Sequence, residues 1–226
     1  KLFSRLAFAS RNFDGYVENT LIGQTLSNQN SVAFLGSLRF LPTDDVTIDI
    51  SGTWSQDQNG GLGPECVVSN PNAPLVNIYD GYLEACERST AFEFQGNTNQ
   101  ISEVVSYGTW GTAAWDIGDV GVFESLEAKS ITSWREQNSP TRTDVDATDI
   151  NLIQLSNHGG ADPIDGRAGT AEQVQQEVQL GGSAWDDKIN LVTGAFFFWE
   201  KSDRRNGLQV PVVNQNNLNR VQSDNW

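Results

Sequence analysis

Apolar and polar residues alternate along much of the chain with a period of two, the pattern of a strand whose two sides meet different surroundings. From Asp45 to Ser55, Val46, Ile48, Ile50 and Trp54 fall on one side; Asp45, Thr47, Asp49, Ser51 and Thr53 fall on the other. From Ser31 to Leu41, Val32, Phe34, Gly36, Leu38 and Phe40 oppose Ser31, Ser37 and Arg39. Pro42-Thr43-Asp44-Asp45 between them is tight-turn chemistry, so the two runs predict a hairpin. The same period predicts strands over 1–11, where Leu2, Leu6 and Phe8 oppose Arg5 and Arg11, and over 101–115. It returns over 126–135, where Leu126, Ala128 and Trp134 oppose Glu127, Lys129 and Arg135. It returns again over 172–184 and 189–200. In the first, Val174, Val178 and Leu180 oppose Gln173, Gln175, Glu177 and Gln179; in the second, Ile189, Leu191, Ala195, Phe197 and Trp199 share a side. Asp116-Ile117-Gly118-Asp119 and Trp185-Asp186-Asp187-Lys188 read as turns. Helical periodicity is scarce.

About seven strands result, most of them near ten or eleven residues, against an average of about 5–6. Eleven residues at about 3.3 Å each span about 36 Å, and tilted by about 45° they cover the roughly 25 Å apolar band of an outer-membrane barrel. The connections alternate in length. Those around Pro42, Ile117 and Asp186 are short; those at 12–30, 56–100, 137–170 and 202–226 are long, polar and rich in Asn, Gln, Gly and Asp. All short turns then fall at one end and all long loops at the other, as in barrels with short periplasmic turns and long extracellular loops. Aromatics gather near the predicted strand ends: Trp54, Trp110, Trp134 and Trp199 toward the long loops, and Phe40, Trp115 and Trp185 toward the short turns. Two interfacial girdles would take in six of the seven Trp of the sequence. The expected fold is therefore all-β, an antiparallel up-and-down transmembrane β-barrel seen in part, with residues 1–226 belonging to one barrel domain.

Composition narrows the partners. The 226 residues carry a formal net charge of −15, which argues against nucleic acid. Hydrophobic residues are only 38%, yet aromatics reach 10%, unlike a disordered chain. No run of about 18 apolar residues exists, so no transmembrane helix is expected; the longest block is Ala195-Phe196-Phe197-Phe198-Trp199. With no Met and no signal-peptide pattern, the chain reads as an internal fragment. Cys66 and Cys86 sit in one polar stretch and suggest a disulfide in an oxidising compartment.

Four stretches resemble the barrel portion of TonB-dependent outer-membrane receptors. Ser10-Arg11-Asn12-Phe13-Asp14-Gly15-Tyr16 is similar to the family's S-R-x-x-D-G-Y strand exit. Leu38 to Val46 resembles its L-R-x-x-P-x-D-D-hydrophobic periplasmic hairpin, and Lys129 to Arg135 its K-S-I-T-x-aromatic-R strand. Gln176-Glu177-Val178-Gln179-Leu180, with Trp185-Asp186-Asp187-Lys188 and Gly194 to Phe198, is similar to its Q-E-x-Q-L…G-x-x-aromatic hairpin. The TonB box, the plug domain and the aromatic-ended last strand of the family pattern are missing from this sequence. The resemblance implies a Gram-negative outer-membrane location, contact with outer-membrane lipid, and a TonB complex acting through the missing plug. It implies energised uptake of a small ligand, an iron–siderophore complex before cobalamin or glycans.

No enzyme and no cofactor are expected. Asp44-Asp45 and Asp186-Asp187 lie in turns, and neighbouring strand residues point to opposite faces, so neither pair converges on a substrate. His158 is the one His, and no nucleophile motif stands near it. Asp144, Asp146 and Asp149 lack the Gly and terminal Glu of a calcium loop, and no metal site is assigned. Arg5, Arg39, Asp49, Glu127, Lys129, Arg135, Gln175 and Glu177 are expected to line a lumen, and Tyr16, Tyr79, Tyr82, Arg88, His158 and Arg167 are the loop candidates for ligand contact. Two rival readings are a passive porin-like channel and a secreted carbohydrate-binding β-sandwich.

Overall fold

The computed structural model describes residues 1–65, 72, 81–157, 169–186, 188–210 and 215–225. It is all-β and antiparallel up-and-down, with one short helix. The long strands are β1 (Leu2–Phe13), β4 (Gln29–Phe40), β5 (Val46–Asn59), β7 (Ile101–Asp116), β8 (Phe123–Asn138), β11 (Thr170–Ala184), β12 (Ile189–Val210) and β13 (Gln215–Asn225). Shorter pieces are β2 (Val17–Asn19), β3 (Gln24–Leu26), β6 (Glu93–Phe94), β9 (Thr141–Asp144) and β10 (Gln154–Ser156), with helix α1 at Tyr82–Glu87. The main sheet runs β1-β4-β5-β7-β8-β11-β12, and β13 pairs with the outer half of β12. The predicted long loop at 202–226 is thus largely strand: β12 continues to Val210 and β13 returns along it. Its residues are polar on both sides, so no period of two marks them.

The column of β8 continues, past Ser139-Pro140, as β9, which still pairs with β7 through Ile101↔Arg142 and Ser102↔Thr141. Beside it β10 takes over the column of β11, pairing β9 on one side and β12 on the other. Part of the predicted loop at 137–170 is therefore sheet as well. All three short turns lie where the sequence places them. At the last, Trp185 and Asp186 both hold positive φ, 56° and 55°. This left-handed backbone takes Trp185 out of the strand's alternation.

The register assigns the faces. One row runs Phe8↔Phe34↔Trp54↔Tyr107, with Trp134 and Trp199 one step of two residues nearer the short turns. The same face carries Leu2, Leu6, Phe40, Ile50, Trp115, Val178 and Phe197, and it is open: Leu6 is 88% exposed. Ring centroids lie 4.9 Å apart for Phe8–Phe34, 5.8 Å for Phe34–Trp54 and 5.6 Å for Tyr107–Trp134. The Trp134 Nε1–H donates to Glu172 Oε1 at 2.9 Å. Gln176 lies in this apolar band with its polar atoms satisfied inside the sheet: Thr132 donates to its Oε1, and its Nε2–H donates to Ser130 Oγ and the Glu177 carbonyl.

The opposite face holds all eight of the residues expected to line a lumen. Arg39 grips Asp49 with two hydrogen bonds, 2.7 and 2.9 Å. Lys129 pairs with Glu127 at 2.8 Å, and Ser51 donates to Ser37 at 2.9 Å. Trp110, expected in the upper girdle, belongs to this polar face instead, because its paired residues are Ser51 and Ser133. Val192 and Phe196 also stand there. Among the described residues the main sheet has no buried apolar cluster of its own. The buried cluster Val17, Leu26, Phe94 and Ala147 lies in the connections at the long-loop end.

Candidate functional site

At the long-loop end, β3, β2 and β6 form a small second sheet, antiparallel between β2 and β3 and parallel between β2 and β6. The chain enters it at Gly15, where φ is +93°, and a Cβ there would stand 2.3 Å from the Leu26 carbonyl oxygen. This explains the Gly of the Asp-Gly-Tyr strand exit. Asn19 is fully buried beneath the cluster. Its Nδ2 donates to the Gly96 carbonyl at 2.8 Å, and its Oδ1 accepts from Gly96 N and Leu21 N.

Asp144, at the tip of β9, is 2% exposed. Its carboxylate accepts the amides of Ala147 at 3.0 Å and Thr98 at 3.3 Å. Burial, with the nearby Asp146 carboxylate adding to it, pushes its pKa up to about 6 against the opposing pull of these backbone donors. Asp146 accepts from Thr148 Oγ1 and Ile153 N, and Asp149 pairs with Arg88 at 2.8 Å. The three carboxylates are spent on different internal partners. Among the described residues no group of three or more His, Cys, Asp or Glu could hold a metal.

A pocket of about 460 Å³ opens where this loop cluster meets the polar face of the sheet. Its floor is a register row, Asn59↔Ser102↔Thr141, crossing β5, β7 and β9, with Thr143 two residues along. Tyr16, Ser27, Asn28, Gly61, Leu62, Gln100 and Ile101 complete the lining, and no lining side chain is charged. Gln24 fixes Gln100 from both directions: its Nε2 donates to the Gln100 carbonyl at 2.7 Å, and its Oε1 accepts the Gln100 amide at 2.9 Å.

Of the sequence candidates among the described residues, only Tyr16 reaches this pocket, its ring 6.3 Å from that of Phe92. Tyr82 opens α1, and Arg88 follows it, tied to Asp149. Cys86 is buried on α1 and disulfide-bonded; Cys66, the other cysteine of the sequence, lies outside the described residues. Tyr79, His158 and Arg167 also lie outside them. The pocket's amides and hydroxyls carry no sequence signal, because they come from separate polar segments that only the register brings together. Among the described residues no helix is long and apolar enough to cross a membrane, which leaves strands unaddressed. Compared with protein-family models, curated proteins and solved structures, the chain finds no match.

Proposed function

We propose that this chain forms part of the wall and outer mouth of an outer-membrane β-barrel, the barrel portion of a TonB-energised receptor that takes up a small ligand, iron–siderophore complexes being the class its sequence resemblance implies. It performs no covalent chemistry in this reading. The observation that carries it is the two-faced sheet: a continuous, exposed apolar band bounded by aromatics on one side, and a polar, ion-paired wall on the other. The four family-like stretches lie at the exit of β1, across the β4–β5 turn, along β8 and across the β11–β12 hairpin.

Two measurements test it on the full-length protein. A bimane-labelled Cys at Ile50 should be quenched by brominated lipid in vesicles, and one at neighbouring Ser51 only by aqueous iodide. Equal quenching of both positions by iodide would remove the membrane wall. Uptake of a ferric siderophore by cells should also stop when TonB is deleted. Uptake that survives the deletion makes the protein a passive channel.

A further inference from the structure

We infer that the open edge of β1 is the docking site for a further strand of the barrel wall, and that this strand carries two acidic residues six positions apart, placed opposite Arg5 and Arg11. The inference rests on the proposed barrel reading for the strand's origin. β1 pairs with β4 over twelve consecutive residues, with no bulge and no Pro. All twelve are exposed, and among the described residues nothing pairs with the other edge. A long, regular edge of this kind is a template for a further strand. Arg5 and Arg11 do not blunt it. Both stand on the polar face, with Arg39 and Asp49, beside the path of an incoming backbone rather than across it.

The charges choose the partner. Elsewhere on this face Arg39 holds Asp49, its cross-strand neighbour, and Lys129 holds Glu127. The register gives Arg5 and Arg11 only Ser37 and Ser31 from β4, whose residues on this face include no acid. Neither guanidinium forms an ion pair or a hydrogen bond among the described residues. A pocket of about 490 Å³ opens at Arg5, and its one carboxylate, Asp49, is already taken by Arg39. The pocket thus keeps a surplus positive charge in a chain where 29 acids face 14 bases. Opposite charges directly across a strand pair stabilise it, so a carboxylate at each position is the matching answer. Antiparallel pairing sets the rest of the pattern. Read from the residue opposite Arg11, it is acid-x-x-apolar-x-apolar-acid-x-x-apolar, the apolar positions falling opposite Phe8, Leu6 and Leu2. No described strand of this chain has two acids at that spacing, so a second copy does not supply the partner.

The test is zero-length carbodiimide crosslinking of the full-length protein in vesicles, with Arg5→Lys and Arg11→Lys as single variants. Each lysine keeps the charge and supplies the amine that a carbodiimide joins to a touching carboxylate. Peptide mass spectrometry should find both variants linked to one segment, at acids six residues apart, and the unsubstituted chain should give neither link. Reversing both charges, Arg5→Glu with Arg11→Glu, should lower the urea midpoint of unfolding, and changing the two identified acids to Lys in the same chain should bring it back. If the reversed chain fails to fold, the crosslinks alone decide. The inference is overturned if the two variants link to different segments or to none, or if the linked species is two copies of the chain, read from its doubled mass. The Ile50 and Ser51 labels do not depend on β1. A wall that meets lipid without the shared crosslink keeps the barrel and loses this partner; a shared crosslink with the Ile50 label in water keeps the partner strand and loses the membrane.

Discussion

At Gly15 the backbone adopts φ +93° and passes so close to Leu26 that a Cβ would collide with its carbonyl oxygen at 2.3 Å. Gly23 also has positive φ, +68°, but nothing lies within 4 Å of an added Cβ. The pair separates conformational strain from collision. Gly23→Ala should cost about 1 kcal/mol, the left-handed penalty alone, whereas Gly15→Ala should cost about 2–3 kcal/mol. Limited proteolysis of the loop cluster reads the difference, with cleavage faster in Gly15→Ala while strand content by circular dichroism is unchanged. Equal sensitivity of the two variants would show that the Leu26 contact is unimportant. Asp144 sets a pH dependence of the same cluster. Its folded pKa, about 6, lies above the ordinary 3.8, so between these values the folded loops hold a proton that the unfolded chain has released. The stabilising contribution is complete below about pH 4 and declines as pH rises through 6, by about 3 kcal/mol in all. Protection of the Thr98 and Ala147 amides from hydrogen exchange, corrected for intrinsic rates, should fall between pH 5 and 7.5, and Asp144→Asn should flatten that slope. A protection that rises with pH would contradict the burial of this carboxyl.

At the scale of the elements, alternation was legible wherever a strand separates an apolar from a polar side. Val46 to Trp54, Leu2 to Phe8 and Ile189 to Trp199 show it, and each lies inside an observed strand. It fades where both sides are polar. Gln56-Asp57-Gln58-Asn59 extends β5, Glu136-Gln137-Asn138 extends β8, and β13 is polar almost throughout, so backbone pairing with a neighbour holds these stretches without any amphipathic signal. Parity also corrects a reading by position alone: Trp110 lies close to Tyr107 in sequence, yet an odd spacing puts it on the polar face. The pocket was the least legible element. Asn59, Ser102 and Thr141 are unremarkable in three separate segments and become one surface only through the β5–β7–β9 register. Tyr16 was within reach because it follows the Gly15 turn. The buried acid at Asp144 was legible as an acidic spacing but not as a keystone, since its partners are backbone amides that no side-chain pattern advertises.

The whole molecule exposes 14113 Å², whereas a globular chain of 24.8 kDa exposes about 10,000 Å². Both faces of the main sheet contribute to that excess, and so do its edges: among the described residues nothing pairs with the outer edge of β1 or of β13, or with the β13 side of β12 below Trp199. Such edges and such an apolar face are a liability in water and are resolved together if further strands extend the wall in a bilayer. The register contains a second sign of this. Phe40 pairs with Ile48, so β5 begins two residues lower, at Val46; Val46 pairs with Trp115, and β7 runs one residue further, to Asp116. Asp116 is level through Glu127 and Gly181 with Val192, and β12 begins three residues lower, at Ile189. From β4 to β12 the turn end thus drops by about six residues over five strand steps. At about 3.4 Å per residue and 4.8 Å between strands, that slope is about 40°, and strands whose turns all meet one membrane surface must tilt by that angle from its normal. Polarised infrared spectroscopy of the full-length protein in aligned bilayers should therefore give a mean strand tilt of about 35–45°. Strands standing within about 20° of the normal, or lying in the bilayer plane, would mean that the stagger does not follow a membrane surface and that the apolar face is covered by something other than lipid.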